Sequence, residues 1–458
     1  MKKMWGSRFQ KKTDPLFEEF SRQPSVDAEL LTDDLQGSLA HAKMLGKIGV
    51  LSKKETDRLV GELSRLFKEA FRGMLKYDDE AEDIHTFVEK TLEKKVGEVA
   101  RKLHTARSRN DQVSLDTRLY CKRKIMLILG HLQAFQRALV QLAKRYEKVI
   151  IPGYTHLQHA QPVLLAHHLL AYCEMLERDK ERFQDALKRV DVLPLGSGAI
   201  AGSSIPIDRA FLAKALGFSK VSGNSIDAVS DRDFVIEILN DLSILAMHLS
   251  RFSEELILWS TEEFGFVEPD ESFCTGSSMM PQKRNPDFLE LVRGESGRVY
   301  GNLMAALVIM KGLPLSYNRD MQLDKAPLMD SITRMHWILL IFPKFLEGLK
   351  IREEAIRRHL SDDGLLATDL AEYLVKKGVP FRKAHEIVGN LMRHLEQRKR
   401  RLASLSLTEL RKFSQHFEKD LFKMLSVQAS VARKVSSGST GTPVVKKAIA
   451  KWERNLSH

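Results

Sequence analysis

A chain of 458 residues with 43% hydrophobic and 29% charged residues can bury a large core and carries about three domains' worth of sequence. Its 7% aromatic content and 14 prolines argue against a β-sandwich or a disordered chain. A net charge of +12 suits either a nucleic-acid binder or a basic enzyme of anionic metabolites, but the basic residues are scattered among 60 acidic ones, with no aromatic interleaving and no zinc-finger spacing, which places nucleic acid last.

The start, Met1-Lys2-Lys3-Met4-Trp5-Gly6, has charge but no apolar stretch, so no secretory signal is expected. Residues 1–110 read as shorter helices. The run His104-Thr105-Ala106-Arg107-Ser108-Arg109-Asn110-Asp111 sets two arginines beside Ser and Asn at a helix start. Such a run suits a bound carboxylate, and suits a capped, salt-bridged helix entry equally well. Ile128, Leu132, Phe135, Leu139, Leu142 and Tyr146 then alternate steps of four and three, a seam for helix–helix packing. Prolines bracket Pro152 to Pro162, so this stretch reads as a loop, with Thr155, Gln158 and Gln161 crowding His156 into a polar site. His159, His167 and His168 raise the thought of a metal, but no His-Glu-x-x-His or Cys/His spacing is present and none is expected. Pro162 is placed for a first helical turn. Gly196-Ser197-Gly198-Ala199-Ile200-Ala201-Gly202 lacks the dinucleotide fingerprint and a preceding strand, so it reads as a helix–helix turn.

Ser230, with Asp233 three residues on, predicts a capped start for a helix whose seam is Phe234, Ile238, Leu242, Leu245, Leu249, Phe252, Leu256 and Trp259. Next comes the most informative segment, Gly276-Ser277-Ser278-Met279-Met280-Pro281-Gln282-Lys283-Arg284-Asn285-Pro286. It is a poor helix and a poor strand. It reads as a shaped loop that brings a hydroxyl, an ammonium and an amide together. Such a loop can take a proton from carbon and hold the charge left behind. Ser277 is a weak base unless its alkoxide is stabilised, which Lys283, loop amides and a nearby helix start would do. Pro286 suits the first turn of another helix. Tyr317-Asn318-Arg319-Asp320-Met321-Gln322-Leu323-Asp324-Lys325 is a dense polar run fitted to a ligand with several polar groups. A further helical pattern runs from about Ala326 to Ile351, interrupted by Pro343. A break near Ser361-Asp362-Asp363-Gly364 opens a C-terminal unit, where Arg398-Lys399-Arg400-Arg401 reads as a solvated helix face.

Several helices near or beyond 25 residues imply a long bundle, and nothing alternates with period two for long enough to suggest a sheet. The expected fold is all-α, with an N-terminal helical domain at 1–110, a central long-helix domain at 111–360 and a C-terminal helical domain at 361–458. The strongest apolar run, Trp337 to Phe342, is far short of a membrane span. Cys121, Cys173 and Cys274 are odd in number and widely spaced, which suggests free thiols in a reducing compartment and hence a cytoplasmic protein.

Gly276 to Pro286 resembles the signature loop of the fumarase/aspartase superfamily, and Met280-Pro281-Gln282-Lys283 resembles the argininosuccinate lyase family most closely. The resemblance runs in order through Met4 to Phe9, Glu82 to His85, His104 to Gln112, Gly153 to Pro162, Leu193 to Gly202, Asp227 to Asp233, Gly312 to Lys325 and Thr368 to Gly389. It implies reversible β-elimination of argininosuccinate to arginine and fumarate, with no metal and no organic cofactor. It also implies a three-domain all-helical fold and a homotetramer whose active sites each draw segments from three chains.

By this resemblance Ser277 removes the proton beside a succinyl carboxylate, while Lys283 and Asn285 stabilise the aci-carboxylate. His156 matches the histidine assigned to acid chemistry or to polarising the site, and Glu290 the carboxylate paired with it. Ser108, Arg109, Asn110, Thr155, Tyr317, Gln322 and Lys325 match substrate contacts, and so do Arg232 and His85. Gln23 stands where many relatives carry a substrate-contacting serine; Ser21 and Ser25 flank it, and the contact is left unassigned. Ala106 replaces a frequent glycine. Two rivals are a sister elimination enzyme such as adenylosuccinate lyase, against which Gln282 and Tyr317–Lys325 discriminate, and a non-catalytic crystallin-like structural protein. Ser277, His156 and Lys283 together favour an enzyme.

Overall fold

The structure, a computed structural model, describes residues 11, 13–77 and 81–457; Met4 to Phe9 and the Ser25 side chain lie outside the described residues. The chain is all-α, as expected, with strands confined to four two-stranded pairs among the described residues. The long helices are Arg109–Arg145, Leu165–Val190, Asp233–Ser260, Asp287–Met310 and Lys325–Gly348. Their seams are inward. Ile128, Leu132, Phe135, Leu139 and Leu142 are all buried, as are all eight seam residues from Phe234 to Trp259. Each such side chain contributes about 1.5–3 kcal/mol on burial, and this term, more than helix propensity, holds the helices. By length and mean hydropathy (1.2 over its most apolar 18 residues) Arg109–Arg145 reaches the range of a membrane-crossing helix, but half of that window is buried inside the protein, as in a core helix.

The chain divides into two compact units. The first comprises Met1–Ile128, Glu181–Ser243 and Arg298–Arg334. Its helix Lys53–Phe71 starts in a full capping box, Ser52 with Glu55, and buries Leu59, Leu63 and Leu66. These leucines join Leu35, Leu45, Phe87, Leu92, Leu115 and Leu119 in one core. The second unit comprises Leu129–Lys180, Ile244–Gly297 and Met335–His458. Phe135 stacks on Phe342 at 4.8 Å between ring centroids, with Phe252 6.0 Å from Phe135. A second cluster in this unit gathers Leu370, Leu374, Ala384, Leu391, Leu410 and Phe417.

Four expectations are corrected. Residues 150–164 form a β-hairpin, Ile150–Thr155 antiparallel to Gln158–Leu164, rather than a loop, and Pro162 lies in its second strand rather than in a helix. Pro152 faces Pro162 across the ribbon. A two-stranded ribbon is all edge, so prolines are tolerated there. The Asp233–Ser260 helix is not opened by Ser230, which ends the short helix Ser225–Ser230; Asp231 Oδ1 accepts the Asp233 amide at 2.8 Å instead. Pro343 sits inside an unbroken Lys325–Gly348 helix. Arg398–Arg401 follows the helix Phe381–Gln397 rather than lying on its face, and Arg400 and Arg401 pair with Glu409 and Asp363.

Candidate active site

In the first unit, residues as far apart in sequence as Gln23 and Lys325 line one cavity of about 230 Å³. Its walls include Gln23, Asp27, Asp83, His85, Arg109, Asn110, Tyr317, Arg319, Gln322 and Lys325. Each wall has a structural reason. Ser108 Oγ accepts the Asn110 amide at 3.3 Å and Asp111 Oδ1 accepts the Ser108 amide at 2.9 Å, a reciprocal cap at the start of Arg109–Arg145. The other Asp111 oxygen accepts from Gly196 at 3.0 Å and Gly198 at 2.9 Å, and Asn110 Nδ2 donates to Ala199 O at 3.2 Å. The glycine-rich segment is therefore a brace for the arginine-bearing helix start. A Cβ at Gly198 would lie 2.7 Å from Gly202 O, and its φ is +62°, so glycine is required. Ala106 holds φ +60°, a left-handed position that favours glycine.

Arg109 is fixed by Asp83, 3.1 Å from its Nε, and by the Thr86 hydroxyl at 3.0 Å. Burial pushes the Asp83 carboxyl up, but His85 and Arg109 outweigh it and hold it below the usual range. Asp27 is pushed up to about 6 by burial, against the pull of His85. Arg319–Asp324 forms a short 3₁₀ helix ahead of Lys325–Gly348, and Gln322 Nε2 donates to Ser21 O at 2.8 Å. That bond brings the Ser21–Gln23 turn to the cavity. Gln23 lines the wall, whereas the Ser21 hydroxyl donates to Glu18 O at 3.1 Å.

Lys325 is 5% exposed and donates to Asp324 Oδ1 at 3.0 Å. Arg232, 1% exposed, pairs with the other Asp324 oxygen. Burial raises the Asp324 carboxyl, but Lys325 and Arg232 more than offset it. Arg232 is not among the cavity-lining residues; it stands behind Lys325 as the second partner of its carboxylate. The carboxylates Asp27 and Asp83 are not among the candidates that the sequence singles out. The Glu82-Asp83-Ile84-His85 run carried the available signal, since Asp83 caps the Ile84–Val96 helix.

The second unit carries Thr155, His156, Ser277, Lys283, Asn285 and Glu290. His156 and Leu157 have φ of +55° and +57°, so they form the two-residue turn of the hairpin with both backbones left-handed. Non-glycine residues in that region store strain, a feature that clusters at functional sites. Thr155 pairs with Gln158 beside the turn. Lower on the hairpin, His159 Nδ1 lies 2.8 Å from Asp362 Oδ2 and its Nε2 lies 3.2 Å from Tyr154 Oη.

Ser277 to Lys283 is the loop of another hairpin, Thr275–Gly276 paired with Arg284–Asn285. Asp287 Oδ2 fastens it by accepting from the Thr275 amide at 2.9 Å and the Thr275 hydroxyl at 2.6 Å. Ser277 Oγ accepts from the amides of Met279 and Met280 at 3.2 and 3.0 Å. Lys283, Glu290, Thr155 and His156 are exposed, and Ser277 and Asn285 are half-buried. Glu290 lies 4.0 Å from Arg293, and among the described residues no hydrogen bond joins it to His156. A separate, larger cavity of about 700 Å³ lies beside the base of this hairpin, lined by Cys274, Gln282, Arg284 and Pro286 with Glu268, Arg352 and His359, and contains none of the expected catalytic residues.

The comparisons with known proteins agree from end to end. A family model described as Lyase matches residues 7–301, and one described as Argininosuccinate lyase C-terminal matches residues 364–432. The argininosuccinate lyase of Geobacillus kaustophilus is 50% identical over 457 residues, covering 100% of both chains. That of Moorella thermoacetica is 49% identical, covering 99% of this chain and 98% of its own. Among solved structures, a fumarate-bound variant of EDDS lyase superposes with a TM-score of 0.82 at 25% identity, over 98% of this chain and 91% of that one. The class II fumarase of Schistosoma mansoni superposes at 0.76 and 17% identity, over 89% and 91%, a likeness of fold alone.

Proposed function

The chain belongs to the argininosuccinate lyase family, and we propose that it splits argininosuccinate reversibly into arginine and fumarate, with Ser277 as the base. The observation that carries this reading is identity of about half of all positions over the full length of enzymes of that name. The reaction breaks the bond between a guanidino nitrogen and the succinyl β-carbon. Ser277 takes the proton from the neighbouring carbon, and the electrons move onto the adjacent carboxylate. The Met279 and Met280 amides already aim at the Ser277 oxygen, which lowers the cost of its alkoxide. Lys283 and Asn285 stabilise the aci-carboxylate, and His156, paired with Glu290, polarises the site. The electrons return to form the alkene as the guanidino nitrogen leaves and takes up a proton.

The cavity of the first unit supplies the other end of the substrate. Arg109 and Lys325 suit carboxylates, and Asp27 and Asp83 suit an ammonium or guanidinium. Asn110, Tyr317, Gln322 and His85 complete the polar contacts, Ser108 caps the helix start beside them, Thr155 joins them from the hairpin turn of another copy, and Arg232 holds Asp324 and Lys325 in place. The exposure of His156, Lys283 and Glu290 in one chain supports a homotetramer whose sites take segments from three copies, His156 and Glu290 then meeting across chains. Exposed Met304, Leu307, Val308, Trp337 and Leu340 on two of the long helices support the same assembly. The three buried or half-buried free cysteines fit a reducing, cytoplasmic location.

Ultraviolet absorbance of fumarate, followed with argininosuccinate and with adenylosuccinate, tests the reading. Release from argininosuccinate alone is expected; release from adenylosuccinate alone would overturn it.

A further inference from the structure

Behind the cavity wall of the first unit lie two buried carboxylates that the elimination chemistry above does not use. Asp34 comes from the Pro24–Lys47 helix and Asp116 from Arg109–Arg145; they are 1% and 0% exposed. His85 joins them, its Nδ1 2.8 Å from Asp34 Oδ1 and 3.6 Å from Asp116 Oδ2. Gln112 Nε2 donates to the same Asp34 oxygen at 2.6 Å. The remaining Asp34 oxygen and both Asp116 oxygens are buried with no hydrogen-bond partner. Three buried acceptors without a donor are costly unless something positive sits between them. One atom each of Asp34, His85 and Asp116 lies within 4.8 Å of the other two, close enough for a bound cation or for a shared proton.

Charge decides between these. The groups facing the two carboxylates are Asp33, already paired with Arg123 at 2.7 Å, and the Arg107 guanidinium. His85 is faced in addition by Asp27, Asp83 and His104. A divalent ion would be repelled by Arg107. One proton instead leaves one carboxylate charge to balance it, and two carboxylates this close do not both ionise in a low-dielectric site.

We propose that Asp34 and Asp116 hold a single proton between them and that the singly charged pair positions His85, which lines the substrate cavity. Protonated Asp116 donates to Asp34. Charged Asp34 accepts the His85 Nδ1 proton, which fixes the ring and leaves Nε2 as the ring atom available to the cavity that His85 lines. The titration tendencies run the same way. Burial and the neighbouring Asp34 and Asp33 push Asp116 well up, whereas His85 and Arg107 outweigh burial at Asp34 and hold it at about 2.

The role given to His85 rests on the cavity holding substrate; the shared proton does not, so it is read without turnover. Infrared spectra of the full chain near pH 7 should show a carboxylic-acid carbonyl band that Asp116→Asn removes. In kinetics, Asp116→Ala should lose on the order of tenfold to a hundredfold in kcat/KM and shift the acid limb of the pH profile, as expected for loss of the charge-assisted bond by which Asp116 holds Asp34 against the ring. Asp116→Asn, which keeps a donor without a charge, should restore both. An unchanged carbonyl region in Asp116→Asn would overturn the proposal, as would failure of Asn to rescue what Ala loses, or a stoichiometric metal in the purified protein that Asp116→Asn releases. A wild-type chain without turnover would remove the substrate reading while leaving the infrared result to stand on its own.

Discussion

Ser277 Oγ accepts the amide hydrogen of Met280 at 3.0 Å, with the Met279 amide adding a second donor at 3.2 Å. Acceptance from the second and third amides ahead caps the turn, as Asn224 does at its own helix start, and the same two amides favour an anionic serine oxygen. Ser277→Ala is expected to fold and assemble like the wild type. It should fail to exchange the substrate's carbon-bound proton with solvent, followed by mass spectrometry in deuterium oxide. Exchange at the wild-type rate would give the base role to another residue.

Lys283 closes the same loop, its amide donating to Met280 O at 3.1 Å while its side chain is exposed. A lysine ordered through its backbone with its ammonium in the open is suited to a charge that develops only in the reaction. Lys283→Ala should lower kcat on the order of 10²–10³-fold, as for removal of one oxyanion donor, with little change in thermal stability. An unchanged kcat would exclude Lys283 from stabilising the intermediate.

The parts of the molecule visible in the sequence are those set by local pattern. The seams through Phe135 and Phe252 follow helical spacing, and both side chains are buried. The Pro152–Pro162 segment was hidden because its turn is His156-Leu157, whose left-handed backbone would ordinarily call for Asn-Gly, and because two prolines argue against a strand anywhere but at an edge. The loop from Ser277 to Lys283 was legible as a loop because a hydroxyl and an ammonium so near two prolines serve no helix or strand. Asp27 and Asp83 were not, since single carboxylates are common and only the fold brings them beside Arg109 and Lys325. Nor does any sequence spacing reveal that Asp111 grips Gly196 and Gly198.

Arg232, Asp324 and Lys325 share one buried carboxylate. Removing the carboxylate charge strands a guanidinium and an ammonium away from water. Asp324→Asn is therefore expected to destabilise the protein by about 3–5 kcal/mol. The half-exposed pair Arg298–Asp330 is the control, since Asp330→Asn should cost under about 1 kcal/mol. Urea unfolding at fixed protein concentration compares them; equal losses would mean the buried trio contributes no more than a surface pair.

His41 is fully buried, and its Nε2 donates to Thr105 O at 3.0 Å. Burial, reinforced by the Arg107 charge, lowers its pKa from an ordinary 6.5 to about 3. In the unfolded chain the ring protonates near 6.5, so between these values the unfolded state binds the extra proton. The stability that His41 contributes is full above pH 6.5 and is lost as pH falls toward 3. Raised carboxyls such as Asp27 and Asp111, each near 6 through burial, work in the opposite direction over part of this range. The comparison that isolates the ring is therefore wild type against His41→Gln. Between pH 6.5 and pH 5 the wild type should lose about 1–2 kcal/mol more than the variant in urea unfolding. Parallel curves for the two proteins would show that His41 takes up its proton in the folded state as readily as in the unfolded one.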